Sequence, residues 1–429
     1  AGWSYADVLP YFKRLERRAG GGEDTYRGRD GSLDVSDIDW VHPLCEAFIE
    51  GAVQAGIPRN ADYNGKIQEG VAYAQRTIRN GRRASTATAF LHPVRHRKNL
   101  KVVTEAHATR LVLDGKRVKG VAYAKGGRGG PPVEVHAARE VILSGGTYNS
   151  PQLLQLSGIG APALLKANGV QPLHELPGVG ENLQDHLETY VQYACTEPIT
   201  LYSAMNPLVK ARIGLEWMLF QTGLGATNHF ESGGFIRSEA GVRHPDLQYH
   251  FLPMAVRYDG NAPATGHGFQ AHVGPMRPTS RGHVRIRSAD PRQAPEILFN
   301  YLSTEQDRKE FRAAIRLTRE VFLQKAFDRF RGAELSPGPQ VQTDAEIDAH
   351  IASQAETAYH PSCSCRMGTD DMAVVDGQAR VHGVQRLRVV DASIMPRVVS
   401  GNTNAPVIMI AEKAADMIRA AARDGALSH

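Results

Sequence analysis

The chain has 429 residues with 42% apolar content, and its 50 Lys and Arg against 45 Asp and Glu leave a formal charge of +5. That length is enough for a large core or, as expected here, two domains of one globular protein. Basic residues are scattered rather than grouped with aromatics, which excludes nucleic acid as an expected partner, and no apolar run approaches the roughly 20 residues needed to span a bilayer.

Apolar residues recur at helical spacing from Ala1 to about Arg18 and from Pro43 to Gly56, with Gly20-Gly21-Gly22 as the stop between them. The chain opens on Ala1 and runs at once into the helix-and-break pattern Trp3 to Pro10, which reads as a piece of a longer protein. The β-branched stretch Asn99 to Thr104 predicts a short strand. Arg110 to Lys116 and Val118 to Tyr123 predict a hairpin turned at Asp114-Gly115. Val133 to Val135 follows, and then Glu140 to Leu143, a buried strand that runs into the turn Gly145-Gly146 and a helix. From about Ala194 to Asn300 alternating strands such as His250 to Leu252 and His283 to Arg287 take over. Ser303 to Phe330 reads as a long amphipathic helix with Phe311, Ile315, Thr318 and Phe322 on one face. A strand, Leu387 to Asp391, and a closing helix, Pro406 to Ala422, end the pattern.

The expected fold class is α/β plus α+β: an incomplete Rossmann-like domain over residues 1–193, a sheet-rich domain over 194–355, and a return to the first domain over 356–429. Four cysteines, Cys45, Cys195, Cys363 and Cys365, are too few and too dispersed for a disulfide framework, which suits a reducing, cytoplasmic compartment. Two Gly-x-Gly stretches, at Gly158 and Gly178, lack the preceding strand of a dinucleotide fingerprint and read as tight turns.

Three motifs carry chemistry. Gly146-Thr147-Tyr148-Asn149-Ser150-Pro151 through Ser157-Gly158-Ile159-Gly160 sets a strand against a glycine turn and a helix start, where free amide groups can face an anion. Tyr359-His360-Pro361-Ser362-Cys363-Ser364-Cys365-Arg366-Met367-Gly368 is followed by Val390-Asp391-Ala392-Ser393 and by Gly401-Asn402-Thr403-Asn404. Gly178-Val179-Gly180-Glu181-Asn182-Leu183-Gln184-Asp185-His186 and Asn228-His229-Phe230-Glu231-Ser232-Gly233-Gly234 complete the set. In order and spacing these resemble the glucose-methanol-choline oxidoreductases, most closely the choline-oxidising members, over nearly the whole chain. The departure lies at the front, where the family's Gly-x-Gly-x-x-Gly turn should precede Ala1.

The resemblance implies FAD as cofactor, with no metal, and oxidation of choline to betaine aldehyde. It implies His360 as the base that takes the hydroxyl proton and Asn402 as its partner. It carries adenine packing to Ala108, contacts with the flavin's chain to Asp391 and Ala392, and ring contacts to Asn402 and Thr403. It further implies a membrane quinone as electron acceptor and peripheral association with the inner membrane. A trimethylammonium substrate asks for aromatic faces and a carboxylate, and Phe230 beside Glu231 is the expected pair. Two alternatives stay open: a different primary alcohol as substrate, or an inert piece lacking the pyrophosphate-binding turn.

Overall fold

The computed structural model describes residues 2–127, 129–257 and 266–423. Helix α1 (Tyr5–Leu15) starts with a capping box between Ser4 and Asp7. It ends before the expected Arg18, because Glu16–Ala19 is extended and pairs in parallel with Leu33–Ser36. Helix α2 (Pro43–Gln54) has proline in its first turn and His42 Nδ1 accepting the Leu44 amide at its cap. After strand β1 (Gly70–Tyr73), strands β2 (Ala106–Asp114), β3 (Arg117–Lys125) and β4 (Pro132–His136) form an antiparallel meander. Asn99 to Thr104 is not the expected strand. Every one of its residues is exposed, and a β-branched run gains nothing from extension without a partner and a buried face.

Strand β5 (Val141–Leu143) leads into helix α3 (Gly146–Leu156), and strand β6 (Leu187–Cys195) precedes helix α4 (Pro207–Phe220). Strands β7 (Ser232–Ile236), β8 (Leu247–Leu252) and β9 (Gly268–Pro275) come next, then helix α5 (Glu305–Phe322) and strand β10 (Arg331–Ser336). Helix α5 is shorter than the expected span. Thr304 accepts the Asp307 amide at its start, and past Phe322 the chain turns through Lys325–Phe327 into β10. Strand β11 (Leu387–Val389) and helix α6 (Asn404–Arg423) finish the fold.

Two cores result. One sheet runs in the order β10-β6-β9-β8-β7-β1, with antiparallel pairing throughout, and Glu356–Thr357 adds to the other end of β6. Helices α2 and α5 cover one face of it, burying Phe48, Tyr249, Phe251, Phe269, Phe322 and Phe327. Because strand side chains alternate, Gln248, His250, Gln270, His272 and Glu188 fall on the opposite face, away from that core. The second core joins α1, α3 and α6 to the parallel pair β5 and β11. Residues of α2 and β1 pack in the sheet core, so the expected first domain of 1–193 is interrupted, and the chain visits the sheet in several separate passes.

No helix of the described residues is long and apolar enough to cross a membrane. Helix α4 is unusual in burying none of its residues, and Leu208, Met218, Leu219 and Phe220 are each more than three-fifths exposed.

Candidate active site

The polar face of the sheet floors a cavity of about 340 Å³, and His360 and Asn402 close one side of it. His360 arrives on a segment clamped against Gln184 to His186. The Ala358 amide donates to the His186 carbonyl (2.8 Å), Gln184 and Ser362 exchange backbone bonds at 3.1 and 2.9 Å, and the His360 amide donates to Asp185 Oδ1 (2.8 Å). Tyr359 (φ +60°) and Cys363 (φ +77°) flank this stretch in the left-handed region, a conformation held only because those bonds over-determine it.

The Nε2 atom of His360 lies 3.3 Å from Asn402 Nδ2, and its Nδ1 lies 3.0 Å from His186 Nδ1. Gln248 Nε2 donates to Asn402 Oδ1 (2.9 Å), so the Asn402 NH₂ faces the imidazole. Burial, reinforced by His186 and His250, pulls His360 down to about 3, and burial pulls His186 down to about 4. Both rings are therefore neutral near pH 7, and one nitrogen of His360 is free to accept a proton.

Beyond His360 the wall carries Glu188, whose Oε1 accepts from His272 Nδ1 at 2.6 Å and whose Oε2 lies 3.6 Å from His250 Nδ1. Burial opposes its charge, but the two imidazoles outweigh that and hold its carboxyl well below the usual carboxylate range. Phe230 sets its ring edge-on to His250 and His272, with centroids 6.3 and 5.2 Å away. Phe230 thus lines the cavity as expected. Glu231 does not: it is fully buried, Thr227, the His229 backbone and Arg76 stand near it, and burial pushes its carboxyl up. Phe230 lines the cavity, whereas Glu231 is turned towards the Thr227–His229 turn and Arg76. The carboxylate at the cavity is Glu188, a residue that sequence reasoning missed.

The residues expected at the cofactor come from the second core. Ala108, exposed on β2, shares a cavity of about 260 Å³ with Gly145, Asn149 and Ser150 at the start of α3. The Gly146 amide is not free to meet an anion, as expected from sequence, but donates to Asp391 Oδ2 (2.9 Å), which also accepts from Ser150 Oγ (2.5 Å). Its other oxygen accepts the Ser393 amide and hydroxyl at 2.8 and 2.5 Å, so the Asp391 side chain is a structural clasp. Ala392 accepts the Cys363 amide through its carbonyl (3.2 Å). Asn402 is exposed and Thr403 partly so.

Residues 1–188 and 278–411 match the two models of the GMC oxidoreductase family. The chain belongs to the GMC oxidoreductases. It is 55% identical over 97% of its length to an oxygen-dependent choline dehydrogenase of Paraburkholderia phymatum, covering 73% of that relative. The same identity and share relate it to the oxygen-dependent choline dehydrogenase of Xanthomonas euvesicatoria pv. vesicatoria, of which it covers 75%. Among solved structures, pyridoxine 4-oxidase from Mesorbium loti superposes with a TM-score of 0.86 at 34% identity, over 97% of this chain and 78% of that one. Formate oxidase of Aspergillus oryzae RIB40 reaches 0.91 at 24% identity, over 98% and 79%, a likeness of fold alone.

FAD is the cofactor of this GMC oxidoreductase, and the residues present fit it. The small, exposed Ala108 side chain and the start of α3 line one open cavity on the second core. What the sequence left unread is the line of sheet residues behind His360. Two strands each carry Gln-x-His between apolar residues, Gln248-Tyr249-His250 and Gln270-Ala271-His272, and in register His250 stands opposite His272. That period-two repeat was the available signal.

Proposed function

We propose that this chain oxidises choline to betaine aldehyde, with His360 as the base and Asn402 as its hydrogen-bonding partner. The observation that carries the reading is one cavity holding a neutral His360, the amide NH₂ of Asn402 and a carboxylate, Glu188, beside an aromatic ring. The substrate hydroxyl donates its proton to His360 Nε2, Asn402 Nδ2 donates to the developing alkoxide, and the carbon–oxygen double bond forms as a hydride leaves the carbon. When bound, FAD supplies the two-electron acceptor for that hydride. Ala108 would hold its adenine, the Asp391 and Ala392 backbone its chain, and Asn402 and Thr403 its ring. Turnover of choline, benzyl alcohol and aliphatic alcohols with a dye acceptor tests the substrate. Choline is expected to lead, and preference for an uncharged alcohol sinks the claim.

For the electron acceptor we infer a membrane quinone, reached by peripheral docking. Support comes from helix α4, whose exposed Leu208, Leu215, Met218, Leu219 and Phe220 have Lys210 and Arg212 beside them. Co-sedimentation with anionic vesicles should fall on replacing Met218 and Phe220 by Ser. Faster flavin reoxidation by oxygen than by a soluble quinone overturns the acceptor assignment.

A further inference from the structure

Two hydrogen-bonded chains line the cavity wall, each with one end of fixed polarity, and between them His250 Nδ1 stands 3.6 Å from Glu188 Oε2. At one end the Met276 carbonyl, which can only accept, lies 2.9 Å from His186 Nε2. That nitrogen therefore carries the proton. In a neutral ring the other nitrogen, Nδ1, must then accept, and its partner at 3.0 Å is His360 Nδ1. His360 is thereby obliged to hold its own proton on Nδ1, which leaves the lone pair on Nε2, the nitrogen that faces Asn402.

The second chain also starts from a group of fixed polarity. The Val256 amide, which can only donate, meets Gln270 Oε1 at 2.8 Å, and Gln192 Nε2 donates to the same oxygen at 2.7 Å. This fixes the orientation of Gln270, so its Nε2 donates to His272 Nε2 (2.6 Å) and His272 Nδ1 donates to Glu188 (2.6 Å). Gln248 Nε2 spans His250 Nε2 (3.1 Å) and Asn402 Oδ1 (2.9 Å), which aims the Asn402 NH₂ at His360. The Met276 end fixes the state of His360, and the Gln248–Asn402 contact is compatible with it.

We propose that His186, anchored by the Met276 carbonyl, is a positioning residue that locks His360 in the Nδ1–H tautomer and so aims the Nε2 lone pair into the cavity. The proposal rests on His360 being the base. Once Nε2 has taken the substrate proton, the imidazolium keeps its Nδ1–H on the His186 acceptor, so the same contact also stabilises the charged ring. The ionisable groups around the pair are His250, Glu188 and Asp185, with the Val399 backbone also beside His186.

The test is made on the FAD-loaded enzyme labelled with ¹⁵N-histidine, with the His360 signals assigned by their loss in His360→Asn. The wild type should show His360 protonated on Nδ1. His186→Leu, which removes the acceptor, should release the other tautomer and lower kcat about tenfold to a thousandfold, no more than the roughly 10²–10⁴ that a whole general base supplies, with KM for the alcohol moving less than about threefold. His186→Asn, which carries an amide oxygen where Nδ1 stood, should recover most of the lost kcat. A wild-type His360 protonated on Nε2 overturns the proposal, as does equal impairment of the Leu and Asn variants or an unchanged kcat in His186→Leu. Should neither variant fold, the wild-type spectrum alone decides. Near-normal turnover in His360→Ala would remove the base assignment instead, a failure the tautomer spectrum does not share.

Discussion

Asp391 is the residue whose replacement separates a cofactor contact from a structural clasp. Its carboxylate accepts four hydrogen bonds, from the Gly146 amide, the Ser150 hydroxyl, and the amide and hydroxyl of Ser393, and it is almost wholly buried. In Asp391→Ala the two hydroxyls can turn to other acceptors, but the two amides cannot, and an orphaned buried donor costs about 1–3 kcal/mol. Releasing the carboxylate from its own desolvation offsets part of the loss. The expected net destabilisation is about 3–5 kcal/mol, with Asp391→Asn, which keeps one acceptor, at roughly half that. Urea unfolding followed by far-UV circular dichroism, at a fixed FAD concentration, reads it. A loss below about 1 kcal/mol for Ala, or equal losses for Ala and Asn, would refute the reasoning.

His360→Ala is expected to lower turnover by roughly two to four orders of magnitude while the bound-flavin absorbance persists; near-normal turnover with choline at neutral pH means that another group is the base. Asn402→Ala withdraws one alkoxide-stabilising bond, worth roughly 3 kcal/mol, and should lower kcat; weaker substrate binding at unchanged kcat would reduce Asn402 to a positioning part. Glu188→Gln should weaken choline more than its uncharged isostere 3,3-dimethylbutanol, whereas Glu231→Gln should affect both alike, and the opposite pattern restores Glu231 to the cavity. Since burial lowers His186 from 6.5 to about 4, the unfolded chain binds the proton in that window and the folded one does not. Stability should hold above about pH 6.5 and fall as the pH drops towards 4, by up to ~1.4 kcal/mol per pH unit for this imidazole. Urea midpoints at pH 7.5 and 5 check it, with a flatter dependence in His186→Asn.

The placing of His360 beside Asn402 was legible because each sits in a dense local motif, and motif order survives without knowing the fold. Glu231 was misread for the converse reason. Glu231 turns to the Thr227–His229 turn and Arg76, and sequence proximity to Phe230 said nothing about that local turn. Glu188 lies 42 residues before Phe230 in the sequence and reaches it only through the order β6-β9-β8-β7, which is a pairing fact rather than a local one. The same holds for α2 and β1, whose helical and strand patterns were readable but whose allegiance to the sheet core was not. Asn99 to Thr104 shows propensity overruled by the lack of a partner strand.

The repeated passage of the chain between the two cores limits how such an enzyme can be rebuilt. The segment carrying α2 and β1 is sewn into the sheet, and the clamp of Gln184 to His186 on Ala358 to Ser362 ties a strand of one core to the base presented by the other. A chimera made by one cut and one splice, giving the GMC scaffold a relative's specificity, would therefore sever at least one of these stitches. A productive exchange must transplant the 43–73 and 184–362 stretches together, so that His186 and His360 arrive as a matched pair.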